Sequence, residues 1–401
     1  MAETITKIDK LINELCPEGV EFKELGDVAN ISSGNSAPQK RELFVEGKYP
    51  FCRTSDIGKV HQSINFSKIE DKLNDKGIKG LRLFPKETIL LPKSGISTIL
   101  NHRVMLSIDS YVSSHLATIY RDDKKVLGRF LYYLLLQIDA KNLIPDIGYP
   151  SLKISEIAKI RVPTPPLPIQ EEIVKILDNF TELEAELEAE LEARKKQYEY
   201  YRNELLTFGD DVEFKELGDV ASYSKSRISA TKLNTESYVG VDNLLQNRQG
   251  KINSNYVPTT GNLTEYKPDD ILIGNIRPYL QKIWQATNTG GTNGDVLVFR
   301  INKNEKIISR FLYYVLASDN FFIYNMRFAK GGKMPRGDKS AILKFKIPLP
   351  SIPEQARIVS ILDKFDALVN DISIGLPAEL KARRKQYEYY REKLLTFKEK
   401  K

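Results

Sequence analysis

Apolar residues recur at steps of three and four positions along two long stretches of the chain, one after Pro168 and one after Pro353. This period predicts two amphipathic helices, each with a narrow apolar stripe of the kind that packs as a two-helix seam. The stripes comprise Ile173, Ile176, Phe180, Leu183, Leu187, Tyr198, Tyr201, Leu205 and Phe208 in the first helix, and Ile358, Ile361, Phe365, Leu368, Ile372, Tyr387, Tyr390, Leu394 and Phe397 in the second.

The two predicted helices differ in continuity. Residues 169–208 contain neither proline nor glycine, so we expect one helix of about 60 Å, a length typical of a coiled coil. Gly375 and Pro377 interrupt the second pattern. We therefore expect a kink or a break in the second helix.

Before each helical pattern lies a segment, residues 30–162 and 222–347, that mixes short strand-like runs with glycine and asparagine turns. The strand-like runs include residues 87–92, 270–273 and 296–301. A helix is predicted late in each segment, because RFLYYLLLQ at 129–137 has a counterpart, RFLYYVLAS, at 310–318. Both segments are therefore predicted to be α+β domains with a shared fold.

The chain also repeats a constant frame around these divergent segments. VEFKELGDVA at 20–29 recurs unchanged at 212–221, and ARKKQYEYYRNELLTF at 193–208 recurs as ARRKQYEYYREKLLTF at 382–397. A repeated frame around divergent contents predicts two similar modules that recognise unlike targets.

The predicted fold class is α+β, with two similar globular domains, two long helices that form an antiparallel coiled coil, and a pseudo-twofold internal repeat. We predict an N-terminal domain at residues 1–161, a central helix at 162–209, a C-terminal domain at 210–346 and a C-terminal helix at 347–401.

The charge pattern favours the antiparallel pairing of the helices. Residues 181–193 (TELEAELEAELEA) carry six glutamates and no base, whereas residues 381–385 hold four bases. An antiparallel alignment sets these stretches opposite each other, although each surface pair contributes little. The ELEA tetrapeptide also resembles a unit that can be added or removed, and each unit would change the helix length by ~6 Å. We predict that the helix acts as a ruler.

The composition excludes several classes of protein. The chain has 401 residues, 41% of them hydrophobic, which suits packed domains rather than disorder. Only Cys16 and Cys52 are cysteines, which argues against a disulfide framework. No apolar stretch is long enough for a membrane span and the N-terminus lacks a signal-peptide core, so we expect a cytoplasmic protein. The net charge of +7 suits a polyanion such as DNA, although many basic proteins bind no nucleic acid.

Taken together, these motifs resemble the specificity subunit of type I restriction–modification enzymes, in particular the subgroup with tetrapeptide repeats in the central helix. The resemblance is carried by the duplicated pattern PxPxxPxQxxIVxILDxF, which begins at Pro163 and Pro348, by the runs RKKQYEYYR and RRKQYEYYR, and by their order around two divergent segments. It extends over the whole chain.

This resemblance implies double-stranded DNA as the target, with each divergent segment a target-recognition domain for one half of a bipartite, asymmetric site. It further implies two partner methyltransferase subunits, which carry S-adenosylmethionine, and restriction subunits, which use ATP and Mg. The chain itself would be a non-catalytic subunit with no cofactor, and its helices would fix the spacing between the half-sites.

The sequence agrees with a chain that has no catalytic residues of its own. It contains no Asn-Pro-Pro-aromatic tetrapeptide, no glycine-rich strand-to-helix loop for S-adenosylmethionine and no Walker-type phosphate loop. His61, His102 and His115 lack the Cys/His spacing of a zinc site, so no metal site is expected.

DNA contact is therefore expected from loops of the divergent segments that hold Arg, Lys, Asn, Ser, Thr or Tyr. In the first segment we predict loops at 33–41, 53–59 and 93–98 and a turn before Lys153. The candidates there are Ser33, Lys40, Arg41, Arg53, Thr54, Ser55, Lys59, Lys93, Ser94, Tyr149 and Lys153. The candidates in the second segment are Lys225, Arg227, Asn275, Arg277, Tyr279, Lys282, Lys330, Lys333 and Arg336. For any single residue ordinary solvation is the plainer role, and the loops are better candidates as sets.

The repeated runs of basic residues and tyrosines are expected to have a role that is the same in both halves of the chain, such as binding of a partner subunit. Tyr198 and Tyr201 are predicted to pack in the seam. The candidate contacts to the two methyltransferase subunits are Tyr200, Arg202, Tyr389 and Arg391, with a solvated face as the alternative. A second function also stays open, in which a non-catalytic coiled-coil adaptor joins two protein partners.

Overall fold

The internal repeat of the sequence becomes two units of similar build in a computed structural model, which describes residues 2–122, 125–144, 150–371 and 374–400. The first unit comprises residues 1–185 and 382–401, and the second comprises residues 186–381. Each unit combines one divergent segment with parts of both predicted long helices. The predicted α+β class is confirmed.

The first unit contains both helices and strands, with six strands in succession between its third and fourth α-helices. Its helices are α1 (Ala2–Leu15), α2 (Leu25–Val28), α3 (Thr54–Val60), α4 (Gly128–Gln137), α5 (Ile154–Ala158) and the start of α6 (Leu167–Leu205). Its strands are β1 (Phe22–Glu24), β2 (Ala29–Ser33), β3 (Tyr49–Cys52), β4 (Gln62–Phe66), β5 (Lys72–Leu73), β6 (Ile89–Pro92), β7 (Arg103–Leu106), β8 (Tyr111–Val112), β9 (Leu116–Arg121) and β10 (Arg161–Pro163).

A five-stranded sheet in the order β2-β9-β6-β7-β4 forms the centre of the first unit, and only its β4–β7 pair is parallel. The predicted strand at 87–92 is confirmed as β6, all four residues of which are buried. Ile89 and Leu91 pack with α4, whereas Leu90 packs in a separate core with Val104 on the other side. Successive side chains of a strand point to opposite faces, so this run is apolar throughout because both faces of the sheet are covered.

The second unit repeats this build. Its helices are the end of α6, then α7 (Leu217–Val220), α8 (Ser309–Leu316), α9 (Asp319–Arg327), α10 (Lys339–Ile342), α11 (Ile352–Asn370) and the start of α12 (Leu376–Leu394). Its strands are β11 (Phe214–Glu216), β12 (Ala221–Tyr223), β13 (Arg227–Ser229), β14 (Tyr238–Val239), β15 (Asn262–Tyr266), β16 (Ile271–Gly274), β17 (Ile283–Gln285), β18 (Gly290–Thr292), β19 (Val296–Ile301) and β20 (Lys346–Pro348).

The sheet β12-β19-β16-β17 of the second unit follows the same order as β2-β9-β6-β7 of the first. Ile271 and Ile273 of β16 face the core that contains α8, and Leu272 faces a second core, as in β6. The predicted strands at 270–273 and 296–301 and the predicted late helices, α4 and α8, are confirmed. A further sheet, β13-β15-β18-β14, completes the unit.

The repeated VEFKELGDVA segment closes each unit onto its own end. In the first unit β1 pairs antiparallel with β10, and Lys23 lies opposite Val162. In the second unit β11 pairs with β20, and Lys215 lies opposite Ile347. The constant segment thus brings the N-terminal and C-terminal ends of each divergent segment together.

A buried glutamine fixes each long helix to its unit in the same way. The Gln170 Oε1 accepts a hydrogen bond from the Leu127 N–H (2.8 Å), and its Nε2 donates to the carbonyls of Lys125 (3.1 Å) and Pro165 (2.7 Å). Gln355 makes the same three bonds, to the Ile308 N–H (2.8 Å) and to the carbonyls of Lys306 (3.1 Å) and Pro350 (2.9 Å). Both glutamines are fully buried, so these bonds replace the water that the amide would otherwise bind.

Eight residues after each glutamine, an aspartate binds the RFLYY helix. Asp178 pairs with Arg129 (2.6 Å) and accepts a hydrogen bond from the Tyr133 hydroxyl (2.6 Å). Asp363 binds Arg310 and Tyr314 in the same manner. Burial, and then the hydrogen bond to Asp178, raise the pKa of Tyr133 far above its ordinary value, so the hydroxyl remains a donor. The repeated motifs are therefore the two sides of one helix–helix contact.

The predicted long first helix is confirmed as α6. In the first unit, Phe180 of α6 lies 5.6 Å from Tyr390 and 6.1 Å from Tyr387 of α12 (ring centroids), and Glu184 pairs with Arg384 (2.6 Å). The α12 number falls as the α6 number rises, which is the predicted antiparallel pairing, and the ion pair joins the predicted acidic and basic stretches.

The matching aromatic contact occurs in the second unit. Phe365 of α11 lies 6.1 Å from Tyr198 and 5.4 Å from Tyr201 of α6, measured between ring centroids. The prediction that these two tyrosines pack in the seam is confirmed.

The second long helix is broken rather than continuous. Helix α11 ends at Asn370 and α12 begins at Leu376, so Pro377 lies in a first helical turn, where its missing N–H is tolerated. Ile372 lies outside the described residues. The predicted stripe is also imperfect, since Leu183 is 44% exposed. The ELEA repeat advances by four residues against 3.6 per turn, so its leucines change direction around the helix. Leu187 is half-buried, and Leu191 packs against the core of the second unit.

One further property of the helices concerns membranes. Among the described residues, none of the helices is both long enough and apolar enough to cross one.

The glutamine contact predicts a large and symmetric loss of stability on mutation. Gln170→Leu leaves one buried N–H and two buried carbonyls without partners, and we expect a loss of about 3 kcal/mol or more in the free energy of unfolding, since each such group costs about 1–3 kcal/mol. Gln355→Leu should cost a similar amount. Chemical denaturation measures both.

The exposed Gln246→Leu is the matched control for these two variants, with an expected change within about 0.5 kcal/mol. A Gln170→Leu variant as stable as this control would contradict the role given to the glutamine.

Candidate nucleic-acid interface

In each unit a loop leaves the same end of the inner strand of the sheet and pairs with a distant segment. In the first unit, Ser94 forms an antiparallel bridge with Ser151, and the Gly95 N–H donates to the Pro150 carbonyl (3.0 Å). In addition, the Leu152 N–H donates to the Lys93 carbonyl (2.8 Å). We call residues 93–98 with 150–153 the first paired loop.

The second unit has the equivalent arrangement after β16. Ile276 forms an antiparallel bridge with Arg336, and the Arg277 N–H donates to the Pro335 carbonyl (2.8 Å). Lys330 and Arg336 exchange two backbone hydrogen bonds (2.9 and 2.8 Å). We call residues 275–282 with 330–337 the second paired loop. Two groups of predicted residues that are far apart in the sequence, those at 275–282 and those at 330–336, therefore lie side by side.

The second paired loop carries most of the predicted residues of its unit. It contains Asn275, Arg277, Tyr279, Lys282, Lys330, Lys333 and Arg336. The side chains of Lys330, Lys333 and Arg336 are exposed, and Tyr279 is 50% exposed. Polar contacts hold two of these basic side chains. Lys330 pairs with Asp338 (2.6 Å), and the Arg336 Nε donates to Asp295 (3.3 Å).

Two residues of this set are less accessible. Asn275 is buried, and its N–H donates to the Asp295 carbonyl (2.8 Å). The Lys282 Nζ donates to the Val241 carbonyl (2.7 Å), and burial lowers the pKa of this lysine. Both therefore support the shape of the loop within the unit.

The first paired loop is less basic. Lys93 is half-buried, Lys153 is exposed, and Tyr149 lies outside the described residues. The Ser94 Oγ lies 2.8 Å from His115 Nδ1, and the Ser33 Oγ donates to the neighbouring Ser114 carbonyl (3.1 Å). The structure thus brings the predicted Ser33 and Ser94 to one short segment.

The prediction of a loop at 53–59 is wrong, because these residues form helix α3. The Asp56 carboxylate accepts the Arg53 N–H (2.8 Å), which satisfies a donor at the start of the helix. The Arg53 guanidinium pairs with Asp71 and lies 5.3 Å from the ring centroids of both Phe44 and Phe51. Its contacts are therefore structural.

The other predicted residues lie apart from the paired loops in the chain. Thr54, Ser55 and Lys59 belong to α3, and Lys59 pairs with Glu70. The remaining candidates are all exposed, namely Lys40, Arg41, Lys225 and Arg227. The Arg227 Nη1 donates to Thr264 (2.8 Å) on the neighbouring strand.

The predicted subunit contacts divide into exposed tyrosines and inward arginines. Tyr200 and Tyr389 are 62% and 61% exposed. Arg202 is only 3% exposed and pairs with Asp319 (3.5 Å), so we remove it from the predicted contact surface. Arg391 is half-buried, with its guanidinium 5.2 Å from the Tyr387 ring centroid.

Several residues near the loops were missed by sequence reasoning. His115 borders the first paired loop through Ser94, and Asp295 orients Arg336 in the second. Arg82 donates to Ser32 (3.1 Å) beside the predicted loop at 33–41. Their roles depend on pairings between distant parts of the chain, for which the local sequence gives no signal.

Two of the three histidines lie together in the first unit. His61 and His102 lie with their Nδ1 atoms 3.1 Å apart, and burial lowers the pKa of His102. In the part of the chain that the structure describes, no group of three or more His, Cys, Asp or Glu residues is arranged to hold a metal ion.

Comparison with known sequences places these features in a family. The chain matches the family described as "Type I restriction modification DNA specificity domain" twice, at residues 17–193 and 209–382. It is 31% identical to a putative type I restriction enzyme specificity subunit of Haemophilus influenzae over 94% of this chain and 96% of that one. It is 34% identical to the EcoR124I/EcoR124II specificity subunit of Escherichia coli over 69% and 72% of the two chains.

Solved structures support the fold. A chain from a structural study of complex assembly and conformational transition of the type I R-M system aligns over 94% of this chain and 97% of its own, with a TM-score of 0.61 and 13% identity. The S subunit of a type I restriction–modification system from M. genitalium aligns over 94% and 96%, with a TM-score of 0.54 and 15% identity. At these identities the likeness concerns the fold alone.

Proposed function

We propose a division of tasks within this chain, which belongs to the family of type I restriction–modification DNA specificity subunits. Membership of this family makes the chain a DNA sequence-specificity subunit. We propose that its DNA site is bipartite and asymmetric, and that each unit binds one half-site through its paired loop.

The observation that carries this proposal is that the two units are held by the same contacts but have different side chains in their paired loops. The same glutamine and aspartate contacts hold both units, and both paired loops follow equivalent strands. Their side chains differ, since Ser94 and Ser151 meet in the first loop where Ile276 and Arg336 meet in the second. Different side chains at equivalent positions of the two loops are what two independent half-sites of different sequence require.

The exposed side chains of the second loop suit DNA. Lys330, Lys333 and Arg336 offer cationic groups for phosphates and base edges, and Tyr279 offers an exposed ring. The net charge of +7 adds a general attraction to the duplex. In the first unit Lys93, Lys153, Ser33 and Ser94 would make the corresponding contacts.

We propose that the chain positions catalytic partner subunits on DNA and does not catalyse a reaction itself. Two methyltransferase subunits would dock on the repeated helical frame, where Tyr200 and Tyr389 present the same exposed ring once in each unit. These partners would supply S-adenosylmethionine, and restriction subunits would supply ATP- and Mg-dependent cleavage. The assembled complex would act on DNA in the cytoplasm.

The steep salt dependence of DNA binding separates this function from that of a protein adaptor. With several phosphates neutralised, the affinity of the full chain with its methyltransferase partner should fall roughly a hundredfold or more between about 50 mM and about 200 mM salt. Titration of labelled duplex at a series of salt concentrations measures this slope.

Matched variants show where that slope originates. Replacing both Lys330 and Lys333 by Gln should lower the slope of log affinity against log salt by about 2. Replacing the exposed Lys175 of α6 by Gln should leave it unchanged. Binding that is absent or independent of salt would favour the adaptor.

The length of α6 is proposed to set the gap between the half-sites. One more Glu-Leu-Glu-Ala after Ala189 extends a helix by ~6 Å, so the gap should grow by about one to two base pairs. Both half-sites should stay unchanged in a base-resolution methylation map.

A length-preserving control distinguishes helix length from local sequence. Ala185→Ser with Ala189→Ser should keep the original gap. An insertion that altered the sequence of either half-site, or left the gap as before, would rule out the ruler.

A further inference from the structure

Both paired loops place a residue with a positive φ at the equivalent position, but the residue differs and so does its ψ, which is −176° at Gly95 and 64° at Arg277. Gly95 has a φ of 77°, and Arg277, at the equivalent place, has a φ of 50°. Each donates its N–H to a proline carbonyl, that of Pro150 or Pro335. Glycine adopts the left-handed region at no steric cost, whereas any residue with a Cβ is strained there.

Arginine at position 277 therefore does not stabilise this backbone conformation, and glycine would adopt it with less strain. Its side chain is not accounted for by internal contacts either, because the buried Nε of Arg277 has no hydrogen-bond partner among the described residues. Buried donors almost always have a partner, and strained residues that persist tend to lie at functional sites. The strained backbone and the guanidinium Nε without a partner in the part of the chain that the structure describes both mark position 277 as a functional position.

Arg336 lies beside Arg277 and is held firmly. Its backbone bridges to both Ile276 and Lys330, and its Nε donates to Asp295 (3.3 Å). The two terminal nitrogens make no hydrogen bond within the described part of the chain, and the side chain is 53% exposed. The guanidinium is thus oriented in advance, which lowers the entropy lost on binding.

We propose that Arg277 and Arg336 read guanine in the half-site bound by the second unit, an inference that rests on the proposed function. A guanidinium can donate two parallel hydrogen bonds to guanine O6 and N7 in the major groove, which makes arginine the commonest specific partner of this base. The first unit has Gly95 and Ser151 at these positions, so it lacks this two-bond contact to guanine at the equivalent place.

The arrangement favours a base over a phosphate as the ligand. Phosphates are bound well by mobile point charges, and the exposed Lys333 of the same loop supplies one. A strained arginine beside an arginine anchored through its Nε instead suits a flat partner with two acceptors in fixed positions.

Two variants of the full chain, each co-expressed with its methyltransferase partner and mapped for methylation at base resolution, test the proposal. Arg277→Gly installs the residue of the first unit and relieves the strain, and Arg336→Lys keeps the charge but loses the fork. Each should relax one guanine position in one half-site. Affinity for the original site should fall about tenfold or more, with little change in salt slope.

The control for backbone freedom is Asn304→Gly, since Asn304 is exposed and also left-handed (φ 72°). It should leave every base preference unchanged. Thermal unfolding should show that Arg277→Gly is at least as stable as the parent chain, and Arg336→Lys alone decides the matter if Arg277→Gly fails to fold.

The remaining outcomes are distinguishable. A parent chain with a bipartite site whose base preferences survive both arginine variants would overturn the guanine contact and leave the proposed function intact. Uniform weakening with a smaller salt slope would make these arginines phosphate contacts, which also overturns it. A parent chain without a bipartite site would overturn the proposed function itself.

Discussion

Each unit depends on the burial of one glutamine amide at the start of a long helix. Gln170 and Gln355 each satisfy three backbone groups that are closed off from water, and an aspartate eight residues later binds the arginine and tyrosine of the RFLYY helix. A buried amide tolerates little displacement, because a lost partner costs about 1–3 kcal/mol. The long helix and the RFLYY helix of each unit are therefore fixed to each other by directional bonds, and apolar packing alone does not have to define their geometry.

This rigid attachment allows the loops to vary. The paired loops follow strands whose both faces are buried, so their side chains can change while the sheet beneath them stays the same. The second loop shows how far this goes, since it holds Arg277 in a backbone conformation that suits glycine. Strain of this kind persists only where the surrounding structure determines the conformation. Binding residues on a rigid scaffold are the usual solution to this requirement.

Most of the frame could be predicted from the sequence because its signals are local and repeated. The period of α6 and the runs that became β6, β16 and β19 are examples. The stretch at 53–59 misled because its Thr, Ser and Asp are both turn formers and helix starters, and Asp56 decides for the helix. The paired loops join residues more than fifty positions apart, which no local pattern reveals. Arg202 is buried and pairs with Asp319, again a distant residue.

The central claim is that one constant frame carries two independent recognition units. Replacing residues 222–345 with residues 30–160 of the same chain tests it most directly, because both segments begin and end at equivalent points of the frame. Base-resolution methylation mapping of the full chain with its partner should then show the half-site of the first unit twice, with the half-site of the second unit gone. A map in which the first half-site also changed would contradict the claim, since the two units would then not act independently.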